Sequence, residues 1–97
     1  MILAKVVGTV VSTQKDPKLA GGKLLVVQQM DMQGQVTKTF HVAYDAVGAG
    51  DHEVVLVSTG SSARMTDQSK DKPIDAVILG IVDTVEIEGK TIFRKFE

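Results

Sequence analysis

Between Asp45 and Arg64 the chain gathers most of the side chains that could do chemistry. Asp51, His52 and Glu53 are three consecutive metal-ligand types, Ser61 and Ser62 are adjacent hydroxyls beside Arg64, and Gly48-Ala49-Gly50 begins like a dinucleotide fingerprint. Each chemistry fails on geometry. Consecutive residues of an extended segment point to alternating sides, so Asp51, His52 and Glu53 cannot all reach one ion. Glu53 stands where a third phosphate-loop glycine belongs, no helix pattern follows, and Gly60 to Arg64 lacks the lysine of a phosphate cradle. A serine nucleophile needs a base held by a third group, and neither His41 nor His52 has such a setting. The segment therefore reads as turn chemistry: glycines for unusual backbone angles and short hydroxyls that bond nearby backbone groups. Arg64 reads as a structural cation, with Asp45, Asp75 or Asp83 as partner carboxylates or a partner across a subunit contact. No catalytic residue, cofactor or metal is expected.

These turns bracket an apolar run, Val54 to Val57, which reads as a strand. Upstream, Ile2 to Thr13 is rich in valine and threonine and should be a long strand bent at Gly8. Gln14 to Gly22 is a charged loop anchored by Leu19. Lys23 to Met30 is a strand with Leu24 and Val26 on one face and Leu25 and Val27 on the other, apolar on both. Asp31 to Gln35 is a hairpin loop. In the strand Val36 to Tyr44, the residues Phe40, Val42 and Tyr44 alternate against Thr39, His41 and Ala43, the pattern of a half-buried strand. Downstream, Thr66 to Pro73 reads as a solvated, mobile loop. Ile74 to Val85 is apolar on both faces, interrupted by Gly80 and opened by a helical turn at Asp75. Glu88-Gly89 turns the chain into a last strand, Lys90 to Phe96. The expectation is one all-β domain over residues 1–97: a small closed barrel of about six or seven strands with little helix, because closure removes exposed edges.

Composition narrows the function classes. With 97 residues, 43% hydrophobic and 24% charged, one compact folded domain is the ceiling. Eleven Lys plus Arg against 12 Asp plus Glu give a net charge of -1, too weak a field for a nucleic-acid backbone. Phe40, Tyr44, Phe93 and Phe96 are too few and scattered for a base-stacking platform. An oligonucleotide or oligosaccharide binder on the same barrel is the competing reading. The absence of cysteine excludes disulfides and thiolate sites and fits the cytoplasm. Met1 to Lys5 does not open a signal peptide, and no window reaches the roughly 18 apolar residues of a membrane helix. Strands apolar on both faces leave outward surface that a single-layered barrel cannot cover. At roughly 25 cal/mol per Å² of apolar area, that favours self-association.

Several motifs in order resemble one family. They are Leu3-Ala4-Lys5-Val6-Val7-Gly8-Thr9-Val10-Val11-Ser12-Thr13-Gln14-Lys15, Leu19 with Gly22-Lys23-Leu24-Leu25-Val26-Val27, Asp45-Ala46-Val47-Gly48-Ala49-Gly50, Gly60-Ser61-Ser62-Ala63-Arg64, and Pro73-Ile74-Asp75-Ala76 with Gly80-Ile81-Val82-Asp83. Over nearly its full length the chain resembles the bacterial microcompartment vertex proteins, the EutN/CcmL family. The resemblance implies an oligonucleotide-binding-like (OB-like) barrel, a homopentamer that closes the vertices of a polyhedral shell in the cytoplasm, and no catalysis. It implies hexameric shell proteins as neighbours, with neither membrane nor nucleic acid as partner. Gly60, Ser61, Ser62, Ala63 and Arg64 would then lie near the subunit contact and a narrow polar axial pore. Asp45, Val47, Gly48, Ala49 and Gly50 would shape the adjoining interface loop. The charged loops Gln14 to Gly22 and Thr66 to Lys72 are candidates for recognising neighbours.

Overall fold

A computed structural model describes residues 1–95. Its strands are β1 (Ile2–Val10), β2 (Leu24–Met30), β3 (Val36–Asp45), β4 (Val54–Thr59), β5 (Ala76–Ile81), β6 (Thr84–Ile87) and β7 (Lys90–Arg94), with short 3-10 turns at Pro17–Leu19 and Gly60–Arg64. The first five strands close into a barrel in the order β1-β2-β3-β5-β4, and β6 and β7 form a separate two-stranded sheet. All neighbouring pairs are antiparallel except β3 and β5. This is the five-stranded OB-like arrangement. The strand count agrees with the sequence reading, but two of the seven strands stand outside the barrel. Phe96, read as the end of the last strand, lies outside the described residues.

The interior is built from alternate positions. Ala4 and Val6, Leu25 and Val27, Ala43, Val55 and Val57, Ala76 and Ile78 fill the barrel, with Ala49 reaching in from the 45–50 loop. Alanines sit among branched side chains because a barrel of so few strands is narrow. The bend at Gly8 is a register shift between Val6 and Gly8 against β2.

β3 shows which of its two faces is inside. Ala43 and His41 pair with Leu25 and Val27, so the smaller face is inward, while Phe40 and Val42 are 54% and 51% exposed. Tyr44, on the same outward face, is buried under Ala63 and Leu19. A Cβ at Gly22 would collide with its ring, so glycine lets this loop cross the tyrosine.

Part of the outward apolar surface is covered by the chain itself. Val85 and Phe93 of the β6–β7 hairpin pack on Leu3, Met30, Val54 and Val82, and Leu19 and Ile74 flank Tyr44 and Val77. On β3 the strip of Phe40 and Val42 stays open, with half-buried Val26 paired to Val42; Val7, Val11, Val36 and Met65 are exposed as well.

Three local expectations are corrected. Thr66 to Pro73 is not wholly solvated, because Ser69 is fully buried and its hydroxyl lies 2.6 Å from that of Thr66. Asp75 does not start a helical turn: it sits in a bend, where its carbonyl accepts a hydrogen bond from the Gly60 amide at 2.8 Å. The run from Ile74 to Val85 is not continuous either. It breaks at Val82-Asp83, where the Val82 amide returns to the Val54 carbonyl and β6 leaves the barrel.

Candidate functional site

The two glycine turns sit at the two ends of β4, whose six residues span about 20 Å at the usual strand rise. The corner before β4 is organised by Asp45. One carboxylate oxygen accepts from the amides of Val47, Gly48 and Ala49 at 3.1, 3.0 and 3.2 Å, and the other from Ala49 at 3.0 Å. Gly48 takes φ +76°, which lets the loop fold back and drive Ala49 into the barrel core. Asp45 therefore does not pair with Arg64.

The same corner consumes the three metal-ligand types. Glu53 accepts from the Gly50 amide at 2.6 Å through one oxygen and meets the Lys95 ammonium at 2.8 Å through the other. The hydrogen bond from Lys95, then that from Gly50, holds the Glu53 carboxyl below the usual glutamate value, and Glu53 raises Lys95 in turn. His52 is exposed at φ +65° and acts through its backbone, its amide bonding the Val6 carbonyl at 2.9 Å. Among the described residues no three His, Cys, Asp or Glu side chains converge on a metal position.

At the far end of β4, Gly60 turns the chain at φ +69° into the 3-10 turn. Ser62 donates to the Thr59 carbonyl at 2.8 Å and lies 2.8 Å from the hydroxyl of buried Ser58. Ala63 is fully buried against Tyr44 and Val77, pinning the turn to the barrel wall. Ser61 is exposed and, among the described residues, makes no side-chain hydrogen bond; no base contacts it. Arg64 is exposed, bonds the Ile74 carbonyl at 3.4 Å, and forms no ion pair with Asp45, Asp75 or Asp83. The within-chain carboxylate expected for it is absent among the described residues, because Asp45 is spent on its own loop.

The two ends of this turn open on different clefts. Gly60 lines the barrel mouth with Thr59, Asp75, Gln29 and His41, whose ring nitrogen lies 3.3 Å from the Gln29 side-chain oxygen. Arg64 lines a second cleft with Lys18 and Lys72. Sequence reasoning missed that second grouping, since its members lie on three separate segments. No local charge excess marks it: Lys72 lies among Asp67, Lys70 and Asp71, and Lys18 follows Asp16.

Comparison with known proteins bears on what such a barrel does. The family described as ethanolamine utilisation protein EutN/carboxysome matches residues 1–83. The chain belongs to this family. It is 50% identical over 95 residues to the carboxysome shell vertex protein CcmL of Synechocystis sp., covering 98% of this chain and 95% of that protein. The structure of Gloeobacter violaceus CcmL superposes with a TM-score of 0.95 at 44% identity over the whole of both chains. The GrpN pentameric microcompartment shell protein of Rhodospirillum rubrum superposes at 0.83 with 52% identity, covering 90% of this chain and 99% of that one. The resemblance read from the five motifs is thus matched by family, sequence and fold.

Proposed function

We propose that this chain is a structural subunit that assembles as a homopentamer and caps the vertices of a polyhedral bacterial microcompartment in the cytoplasm. The observation that carries this reading is the likeness of nearly the whole chain to relatives named as shell vertex proteins, one of them described as pentameric. A five-fold ring joins one patch of each copy to a different patch of the next. The open Phe40 and Val42 strip supports such a contact, because apolar surface left by the barrel is stabilised when a neighbour covers it.

In this ring Gly60, Ser61, Ser62, Ala63 and Arg64 lie close to the subunit contact and a narrow axial opening, and Asp45, Val47, Gly48, Ala49 and Gly50 shape the loop beside it. Ser61 suits a polar lining, having an exposed hydroxyl with no partner in its own chain among the described residues. The role is architectural rather than catalytic. Hexameric shell proteins are the neighbours outside the ring, and a net charge of -1 disfavours nucleic acid. Native mass spectrometry tests the reading: a mass of five subunits is expected, and a monomer or dimer at micromolar concentration removes its geometric basis.

A further inference from the structure

The loops 14–22 and 66–73 are distant in sequence yet meet over Tyr44 on the outward face of β3. Lys72 joins them, its ammonium donating to the Lys18 carbonyl at 2.7 Å while lying 5.5 Å from the centre of the Tyr44 ring. Two contacts fix that cation in place, and two of its three protons remain undirected. Arg64 lines the same cleft. One guanidinium nitrogen is held, at a long 3.4 Å, by the Ile74 carbonyl, and the other donors of the fork have no partner among the described residues.

The carboxylates nearby offset these cations only in part and, among the described residues, pair with none of them. Asp16 caps the Pro17–Leu19 turn, accepting from the Lys18 amide at 2.9 Å. Asp71 is held in a turn at φ +59°. Among the described residues neither forms an ion pair with Lys18, Arg64 or Lys72. Three cations against two carboxylates leave surplus positive charge in one cleft of a chain whose net charge is -1.

We propose that this cleft, between the Pro17–Leu19 turn and residues 71–73, binds a small oxyanion held by Arg64, Lys18 and Lys72. A planar guanidinium fork beside two ammonium groups suits an anion with several oxygens. Asp16 and Asp71 line the same cleft and disfavour a long polyanion, which would have to pass both carboxylates. All of its lining comes from one chain, but Arg64 belongs to the turn that the vertex reading sets near the subunit contact, so the site rests on that contact leaving the cleft open.

The test is calorimetric titration of the full-length protein, in its native assembly and at low ionic strength, with inorganic phosphate. Saturable binding at one site per chain is expected. Arg64→Gln should weaken it about tenfold, the effect of losing a charge-assisted contact. Lys18→Gln should weaken it about threefold, and Lys38→Gln, on exposed β3 surface, should leave it unchanged. No saturable binding, or equal weakening by Arg64→Gln and Lys38→Gln, overturns the site. The same result follows if the assembled protein refuses phosphate because a neighbour's carboxylate fills the cleft. Native masses are recorded for each variant. A change of mass in Arg64→Gln speaks to the ring alone, and Lys18→Gln, outside the Gly60–Arg64 turn, then decides the anion site.

Discussion

The two glycine turns flanking β4 look alike as sequence and behave differently as structure. At the 45–53 corner the two carboxylates that shape the loop are spent inside the chain, while the side chains of Asp51 and His52 stay exposed: Asp45 takes three amides, and Glu53 takes the Gly50 amide and Lys95. At the 60–64 turn the buried half is closed by Ser62 and Ala63, while Ser61 and Arg64 keep donors that the described chain does not use. A turn that satisfies itself stabilises the fold. One that leaves polar valence at its surface has something to offer a neighbour or a ligand. The following substitutions, compared at fixed protomer concentration, test whether that division holds.

The largest effect is expected at the self-satisfied corner. Ala49→Asp puts a carboxylate into the barrel core, where no described cation can pair with it, and should cost about 3 kcal/mol or more. A urea midpoint unchanged from the parent would mean that the 45–50 loop lifts away without consequence. Next comes Asp45→Ala, which strands the amides of Val47, Gly48 and Ala49; a loss of about 2 kcal/mol is expected from the same denaturation curves.

The turn after β4 should divide within itself. Ser62→Ala removes the bond to the Thr59 carbonyl and the contact with Ser58, and should cost about 1 kcal/mol. Ser61→Ala should stay within about 0.5 kcal/mol, as surface changes without partners do. Equal losses at the two serines would erase the contrast between the spent and unspent halves of the turn.

The sequence disclosed this contrast only in part. Alternation in Leu24 to Val27 fixed the two faces of β2, and the glycines at 48, 60 and 89 marked turns that adopt positive φ. The same alternation could not say which face of β3 is inside. That depends on the bore of the barrel, which admits Ala43 opposite Leu25 and leaves Phe40 and Val42 outside. Ser69 read as loop because its burial is made acceptable by a local knot of hydrogen bonds with Thr66, which a composition window does not register. Detachment of the β6–β7 hairpin was equally hidden, since Val85 and Phe93 are apolar enough for a barrel strand. The Lys72 to Lys18 clasp spans 54 residues, and no local pattern reports a contact at that range.

The smallest effect belongs to the Glu53–Lys95 pair and is distinguished by its sign. Both side chains are partly exposed, so solvent screens the attraction and its share of stability is modest. Because Lys95 and the Gly50 amide lower the Glu53 pKa in the folded chain, the unfolded chain binds more protons in the acid range. The Glu53 contribution is therefore fully present above the ordinary glutamate value of 4.5 and is lost as pH falls through the lowered folded value. Lys95 adds the complementary limb: its folded pKa is raised, so its contribution holds below the ordinary value of 10.5 and fades as pH rises through the folded one. Glu53→Gln keeps an acceptor for the Gly50 amide, removes the acid limb and reduces the basic one, where Asp83 still raises Lys95, so stability against pH should flatten below 4.5 and, less completely, above 10.5 relative to the parent. Salt should shrink the difference between the two proteins at neutral pH. If the two curves run parallel through the acid range, the pair contributes nothing, and the corner is held by Asp45 and Ala49 alone.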